Sequence, residues 1–174
     1  SGTDRVAEVA RQMPDVDLFV NVQGDEPELS GAAIDLVVDL LERDSRAVMA
    51  TLATPIRSRE QLHDPACVKV VFDGTGRALY FSRSPIPHAR EWNDRLLDAE
   101  PAVFYQHIGL YGYRRDFILK LSQLSRTPLE TSENLEQLRV LENGFRIRCV
   151  ETQSFSVGVD TPEDLEHVRR LLTT

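Results

Sequence analysis

Two apolar runs, "DLFVNVQ" (Asp17–Gln23) and "AVMATLAT" (Ala47–Thr54), flank an amphipathic segment, "GAAIDLVVDLLERD", that opens behind Ser30. This order constrains the fold more than any other feature. Runs that are apolar at consecutive positions suit strands covered on both faces. A helix between two such strands makes a crossover unit of a sheet whose strands share one direction. Ser30 is a natural N-cap for that helix, and charged residues close it. Upstream, Thr3 is expected to cap a first helix with an apolar stripe of Val6, Val9, Ala10 and Met13.

The rest of the chain changes style. "VKVVFDGTGRALYFSR" reads as two short strands around a turn at Asp73-Gly74-Thr75-Gly76. Ser84–Ala102 is a long, proline-punctuated connection, of the kind that either covers a functional site or lacks order. "VFYQHIGLYGYR" resumes a strand, followed by a helix over Asp116–Leu124 and another from Leu129 to Asn143, stopped by Gly144. "FRIRCVE" reads as a strand with Ile147 and Cys149 inward. "DTPEDLEHVRRLL" opens a last helix with Thr161 at the N-cap, Pro162 at its first position, and Glu163 and Asp164 in its first turn. No repeat, low-complexity tract or linker divides the chain. Residues 1–174 therefore read as a single α/β domain with a mostly parallel sheet and a β-hairpin insertion.

At 174 residues, 41% hydrophobic and 28% charged, the chain can bury a substantial core without disulfides or a structural metal. A net charge of -8 argues against a broad nucleic-acid surface. An anionic substrate would need placed arginines or a divalent cation. Cys67 and Cys149 are isolated and read as buried thiols of a reducing compartment. No stretch approaches a membrane span and the N-terminus has no signal-peptide layout, so a cytoplasmic protein with no membrane partner is expected.

Four constellations can carry chemistry. Asp25, with Glu26 beside it in "NVQGDEP", leaves a strand at the sheet edge where ligands gather, and Gly24 permits close backbone approach. A plain turn is the competing reading, because Asp and Pro are common turn formers. "GVDTPEDL" repeats the layout: a strand-like approach through Phe155–Val159, then Asp160 before a helix, where it can also simply complement the helix N-terminus. Two such carboxylates can meet across the crevice and hold magnesium, while no histidine cluster favours zinc. In the helix after Leu129, Glu130, Glu133 and Gln137 fall on the arc of Leu135, Leu138, Val140 and Leu141, which requires a buried polar network or a ligand. In "YQHIGLYGY", alternation sends His107, Gly109, Tyr111 and Tyr113 to one face and Ile108, Leu110 and Gly112 to the other, giving a sugar or anion site or a half-buried sheet face. Arg83, at a strand end, can grip a carboxylate in bidentate fashion or pair at the surface.

Taken in order, "SGTDRVAEV", "NVQGDEPEL", "VKVVFD…ALYFSRSPIP", "HIGLYGYRRDF", "PLE…LEQLRVLENG" and "GVDTPEDLE" resemble the 3-deoxy-manno-octulosonate cytidylyltransferases, or CMP-Kdo synthetases. The resemblance runs through nearly the whole chain. It implies a three-layer, Rossmann-like nucleotidyltransferase fold. The implied reaction is transfer of CMP from CTP to the acid sugar 3-deoxy-D-manno-octulosonate (Kdo), giving CMP-Kdo and pyrophosphate for lipopolysaccharide synthesis. It further implies Asp25 and Asp160 as catalytic ligands of Mg2+, and Ser1, Gly2, Arg5 and Gln23 at the nucleotide. Arg83, His107, Tyr111, Glu136 and Gln137 would line the sugar. Here the resemblance selects Glu136, whereas the helical arc selects Glu130 and Glu133. A homodimer is implied too, with the His107–Tyr113 strand as a candidate to pair across its interface. Family members begin with a strand and a glycine-containing basic loop that cradles the triphosphate. This sequence contains neither, so a chain truncated at its N-terminus is expected. Two alternatives stay open: another acid sugar, 8-amino-Kdo or a sialic acid, and a non-catalytic nucleotide- or sugar-binding domain.

Overall fold

The strand–helix–strand unit near the start of the chain is present, but another strand lies between its two arms. The computed structural model describes residues 2–22, 30–152 and 166. Helix α1 (Gly2–Gln12) leads to β1 (Leu18–Asn21), α2 (Gly31–Arg43) and β2 (Met49–Pro55). Then follow α3 (Arg59–His63), the hairpin β3 (Lys69–Phe72) and β4 (Ala78–Ser82), and the ten-residue β5 (Tyr105–Arg114). Helices α4 (Arg115–Leu121), α5 (Pro128–Glu133) and α6 (Gln137–Glu142) precede β6 (Ile147–Glu151).

These strands form one sheet in the order β4-β3-β5-β2-β6, with β1 also paired to β5. β5 is antiparallel to β1, β2 and β3, and β3 is antiparallel to β4, while β2 and β6 are parallel. Hence β1, β2, β3 and β6 share one direction, and β4 and β5 run against them. The expectation of a mostly parallel sheet holds for direction and is corrected for pairing. Only β2–β6 is a parallel ladder among the described residues, because β5 is interposed between β1 and β2. β2 follows β5 along one edge, and β3 and β1 share the other. β5 pairs with β2 along one edge and, at Tyr105–Gln106 and Tyr111–Arg114, with β3 and β1 along the other, so the described pairing of the His107–Tyr113 strand lies within the sheet.

The continuous apolar runs are explained by helices on both faces. Met49 and Ala53 of β2 join Phe19, Tyr113 and Ile147 under α1, α4 and α6, which contribute Ala7, Ala10, Phe117, Ile118, Leu121, Leu138 and Val140. Ala50 and Leu52, the alternate residues of β2, join Ile108 and Leu110 under Ala33, Val37 and Leu41 of α2. Each fully buried aliphatic or aromatic side chain of this kind stabilises the fold by about 1.5–3 kcal/mol. The result is three layers, as the resemblance implies. Gly112 lets α2 approach closely: a Cβ there would lie 2.5 Å from Val37 Cγ1.

β5 also carries an irregularity. Leu52 pairs with Ile108, yet the next partner pair is Thr51 with Tyr111, so Gly109 and Leu110 are extra on β5. Thr51 Oγ1 fills the gap, 3.1 Å from Ile108 O and 2.8 Å from Leu110 O. The alternation read from the sequence survives the insertion. Tyr113 lies on the α1 face, and Ile108 and Leu110 on the α2 face.

Several local expectations hold. Ser30 Oγ accepts from the Ala33 amide, Gly76 takes a positive φ of 78° in the hairpin turn, and Cys67, Ile147 and Cys149 are buried, with both cysteines as free thiols. The Ser84–Ala102 connection, with one short 3-10 turn at Asp94–Leu96, is packed in place: Ala89, Trp92, Leu96 and Leu97 lie on Ile56, Leu62, Cys67 and Phe104.

Others are corrected. Thr3 lies inside α1 and is buried, so it does not cap the helix. The buried stripe is Thr3, Ala7 and Ala10, while Val9 and Met13 are exposed, because α1 packs through its smallest side chains. The helix expected from Leu129 to Asn143 is two helices. Asn134 between them adopts a left-handed φ of 53°, a conformation asparagine tolerates better than most residues. Consequently Glu130, Glu133 and Gln137 do not share one helical arc. The helix expected after Thr161 lies outside the described residues, apart from the helical Glu166.

Candidate active site

Because β5 is antiparallel to β1 and longer, it runs past the carboxyl end of β1. Asn21, the last residue of β1, is paired with Tyr111, and His107 lies four residues further along β5. Tyr111 is 6.1 Å from Tyr113 and 5.2 Å from His107, ring to ring, and the His107 ring stands edge-on to Phe81 at 5.1 Å. The half-buried face expected here is more enclosed at the histidine, which is buried. Its Nε2 lies 2.9 Å from Thr51 Oγ1. Carbonyls only accept, so a Thr51 hydroxyl that serves Ile108 or Leu110 must itself accept from His107 Nε2–H. Burial pushes the imidazole pKa down to about 3, so the ring is neutral near pH 7.

The start of α1 meets the same end of the sheet. A Cβ on Gly2 would sit 3.6 Å from Asn21 Nδ2. The Thr3 hydroxyl donates to Glu136 Oε2 at 2.6 Å, on the face of the sheet where the Tyr113 phenol is buried. Burial, with the Glu136 charge behind it, holds that phenol well above its ordinary pKa. Glu136 immediately precedes α6. Its neighbour Gln137 is 4% exposed, and the Gln137 side-chain amide makes no hydrogen bond among the described residues. The structure therefore brings Gly2, Tyr111, His107, Glu136 and Gln137 to one end of the sheet, with Arg5 exposed on the next part of α1.

Arg83 is held at the end of β4. Its amide donates to Glu133 Oε2, its Nε to Glu133 O and its Nη1 to Pro65 O, each at 2.9 Å. Ser82 Oγ donates to the other Glu133 oxygen at 2.6 Å. Glu133 thus anchors β4 to the end of α5. Glu130 is fully buried, and hydrogen bonds from the Arg139 guanidinium hold its carboxyl below the usual range. Two of the three inward polar residues of the predicted arc are therefore structural, and Gln137 is the one that no protein group satisfies among those described. Ser1, Gln23, Asp25 and Asp160 lie outside the described residues. Among the described residues no three His, Cys, Asp or Glu side chains converge on a metal position.

Sequence reasoning missed four partners: Thr3, Thr51, Ser82 and Arg139. Thr51 left a signal, a hydroxyl inside a buried apolar run that needs a partner. Arg139 left one too, a cation beside Leu138 and Val140. Thr3 was legible as polar, but its partner is 133 residues away.

The three-layer arrangement, with ligand-type side chains gathered at the carboxyl end of β1, defines a nucleotidyltransferase of α/β type. The chain belongs to the cytidylyltransferase family, whose model matches residues 1–148. It is 54% identical over 172 residues to the 3-deoxy-manno-octulosonate cytidylyltransferase of Geotalea uraniireducens, covering 97% of this chain and 68% of that protein. A solved CMP:2-keto-3-deoxy-manno-octonic acid synthetase complexed with CTP superposes with a TM-score of 0.88 at 40% identity, over 99% of this chain and 68% of the other. A 4-diphosphocytidyl-2C-methyl-D-erythritol synthase from Anaerococcus prevotii shares the fold, at TM-score 0.55 and 14% identity. Among the described residues, no helix is long and apolar enough to cross a membrane.

Proposed function

We propose that the protein transfers CMP from CTP to Kdo, releasing pyrophosphate. The observation that carries this reading is the 0.88 superposition on a synthetase complexed with CTP, joined to the convergence of Gly2, Tyr111, His107 and Glu136 at one sheet end. In the reaction the anomeric hydroxyl oxygen of Kdo bonds to the α-phosphorus. The bond from that phosphorus to the bridging oxygen breaks, and the hydroxyl proton passes to solvent. Ser1, Gly2, Arg5 and Gln23 hold the nucleotide, and Arg83, His107, Tyr111, Glu136 and Gln137 hold the sugar. Neutral His107 is too weakly basic to take the proton and serves as a hydrogen-bonding wall. Arg83 supplies positive charge for the sugar carboxylate. Its fixed backbone contacts orient the guanidinium before the sugar arrives, so little entropy is lost on binding.

Asp25 and Asp160 are the proposed Mg2+ ligands, and hard carboxylate oxygens are the donor type magnesium takes. Asp25 follows β1 by four residues and Asp160 follows β6 by nine. β1 and β6 share a direction, so both segments leave the same edge. Their strands are separated by β5 and β2, a span of about 14 Å at the usual strand spacing. Extended chains of four and nine residues reach about 13 and 30 Å, so the two carboxylates have the reach to meet. Magnesium bound there supplies charge neutralisation for the triphosphate and for the departing pyrophosphate. The same reading places the protein in the cytoplasm, as a homodimer serving lipopolysaccharide synthesis.

The test is magnesium-dependent pyrophosphate release from CTP plus Kdo, measured on this chain and on a form extended upstream. Kdo is compared with 8-amino-Kdo and a sialic acid in the same assay. Release with Kdo from either form supports the assignment. Binding of CMP-Kdo with no release from a folded, extended form would move the non-catalytic domain ahead. Asp25→Asn and Asp160→Asn are each expected to remove most activity, and near-normal turnover of either at limiting magnesium would overturn the ligand assignment. Light scattering across concentration reads the oligomeric state.

A further inference from the structure

We infer that Thr3 is a positioning residue whose hydroxyl couples the nucleotide end of the site, at Gly2, to the sugar end, at Glu136. The inference rests on the functional reading above and adds a coupling between its two subsites. Thr3 is 3% exposed on the first turn of α1, directly after Gly2. Its oxygen lies 2.6 Å from Glu136 Oε2, whereas Arg139, a charged partner of Glu136, is 3.7 Å from Oε1. Arg139 is already committed to Glu130 through Nε and Nη2. Thr3 is therefore the contact that fixes the Glu136 carboxylate, whose side chain is 39% exposed.

The direction of the hydrogen bond follows from its chemistry. A carboxylate only accepts, so the Thr3 proton points to Glu136. The bond from Thr3 thus ends on an anion, which makes it stronger than one between neutral groups. It joins α1 to the start of α6, 133 residues away in sequence. The Glu136 charge also acts on the buried Tyr113, whose ring adjoins Tyr111 and, through it, His107. Further along, α1 packs through Ala7 and Ala10. A ligand that settles the first turn of α1 therefore settles Glu136 as well, and the effect must be reciprocal.

The test uses the catalytically active form defined by the pyrophosphate assay, with Kdo affinity measured by calorimetry with and without saturating α,β-methylene-CTP. For the wild type, the analogue is expected to tighten Kdo binding about fivefold or more. Thr3→Ser keeps the hydroxyl and should keep that ratio. Thr3→Val loses it and should bring the ratio close to one, with CTP binding itself retained. A folded Thr3→Val protein with the wild-type ratio overturns the inference, as does a wild type with no coupling. Should Thr3→Val fail to fold, Thr3→Ala decides: removing the hydroxyl that donates to Glu136 should bring the ratio close to one, and an unchanged ratio sinks the proposal. Loss of pyrophosphate release from the wild type would instead be a failure of the functional reading, and the two outcomes are read in separate assays.

Discussion

Arg139 closes over a broken helix onto Glu130, nine residues earlier, with Nε donating to Oε2 at 2.7 Å and Nη2 to Oε1. Glu130 Oε2 also accepts from the Thr127 amide, and Arg139 Nη1 donates to Leu124 O, so the pair ties α5, α6 and the end of the α4 connection together. Arg139→Met should destabilise the protein by about 3 kcal/mol or more, because it leaves a buried carboxylate with the exposed Arg126 as its cationic partner. The double change Arg139→Met with Glu130→Leu should cost clearly less than the sum of the single changes. Urea unfolding of the four proteins measures this, and additive losses would show that the two side chains act independently.

The break itself sets a second expectation. Asn134 sits at a φ of 53°, where glycine is unstrained and a β-branched side chain is not. Asn134→Gly should change stability little, and Asn134→Val should cost about 1–3 kcal/mol. Equal effects in thermal unfolding would mean that the turn relaxes readily.

Stability should also fall with acid in a way His107 explains. Its folded pKa is about 3 against an ordinary 6.5, so the unfolded chain takes up a proton that the folded one refuses. The contribution is complete above pH 6.5 and is lost as pH falls towards 3, amounting to about 2 kcal/mol between pH 7 and pH 5. Replacing His107 with Gln should flatten the stability profile across that window. An unchanged slope in the variant would place the acid sensitivity elsewhere.

Gly112 offers a purely steric check. Alanine there would press its Cβ on Val37 Cγ1 at 2.5 Å and Leu41 Cδ1 at 3.0 Å. Overpacking of that kind costs about 1–3 kcal/mol, read as a lower urea midpoint at constant slope. A neutral Gly112→Ala would show that α2 can shift away from the sheet.

The sequence was most legible where local chemistry decides the outcome. Ser30, the Asp73–Gly76 turn and Gly144 each act within a few residues, and each is found as expected. The apolar run of β2 fixed its burial but not its neighbours, because a strand covered on both faces looks the same beside a parallel or an antiparallel partner; β1 is less enclosed than its run suggests, with only Phe19 buried. The polar arc of the predicted Leu129–Asn143 helix failed for a related reason. Helical spacing assumes an unbroken helix, and a single left-handed Asn134 resets the phase, sending Glu130 to Arg139 and Glu133 to β4. The Thr3–Glu136 contact was beyond reach, since only the packed fold brings those two residues together.

The extra residues Gly109 and Leu110 carry a consequence for how this strand can change in length. Deleting Gly109 alone would turn the residues on one side of it around: either Tyr111 and Tyr113 would face α2, or His107 would leave Phe81. Deleting Gly109 and Leu110 together would take out the kink and leave every remaining side chain on its present face. At this point in β5, insertions and deletions are tolerable only in twos.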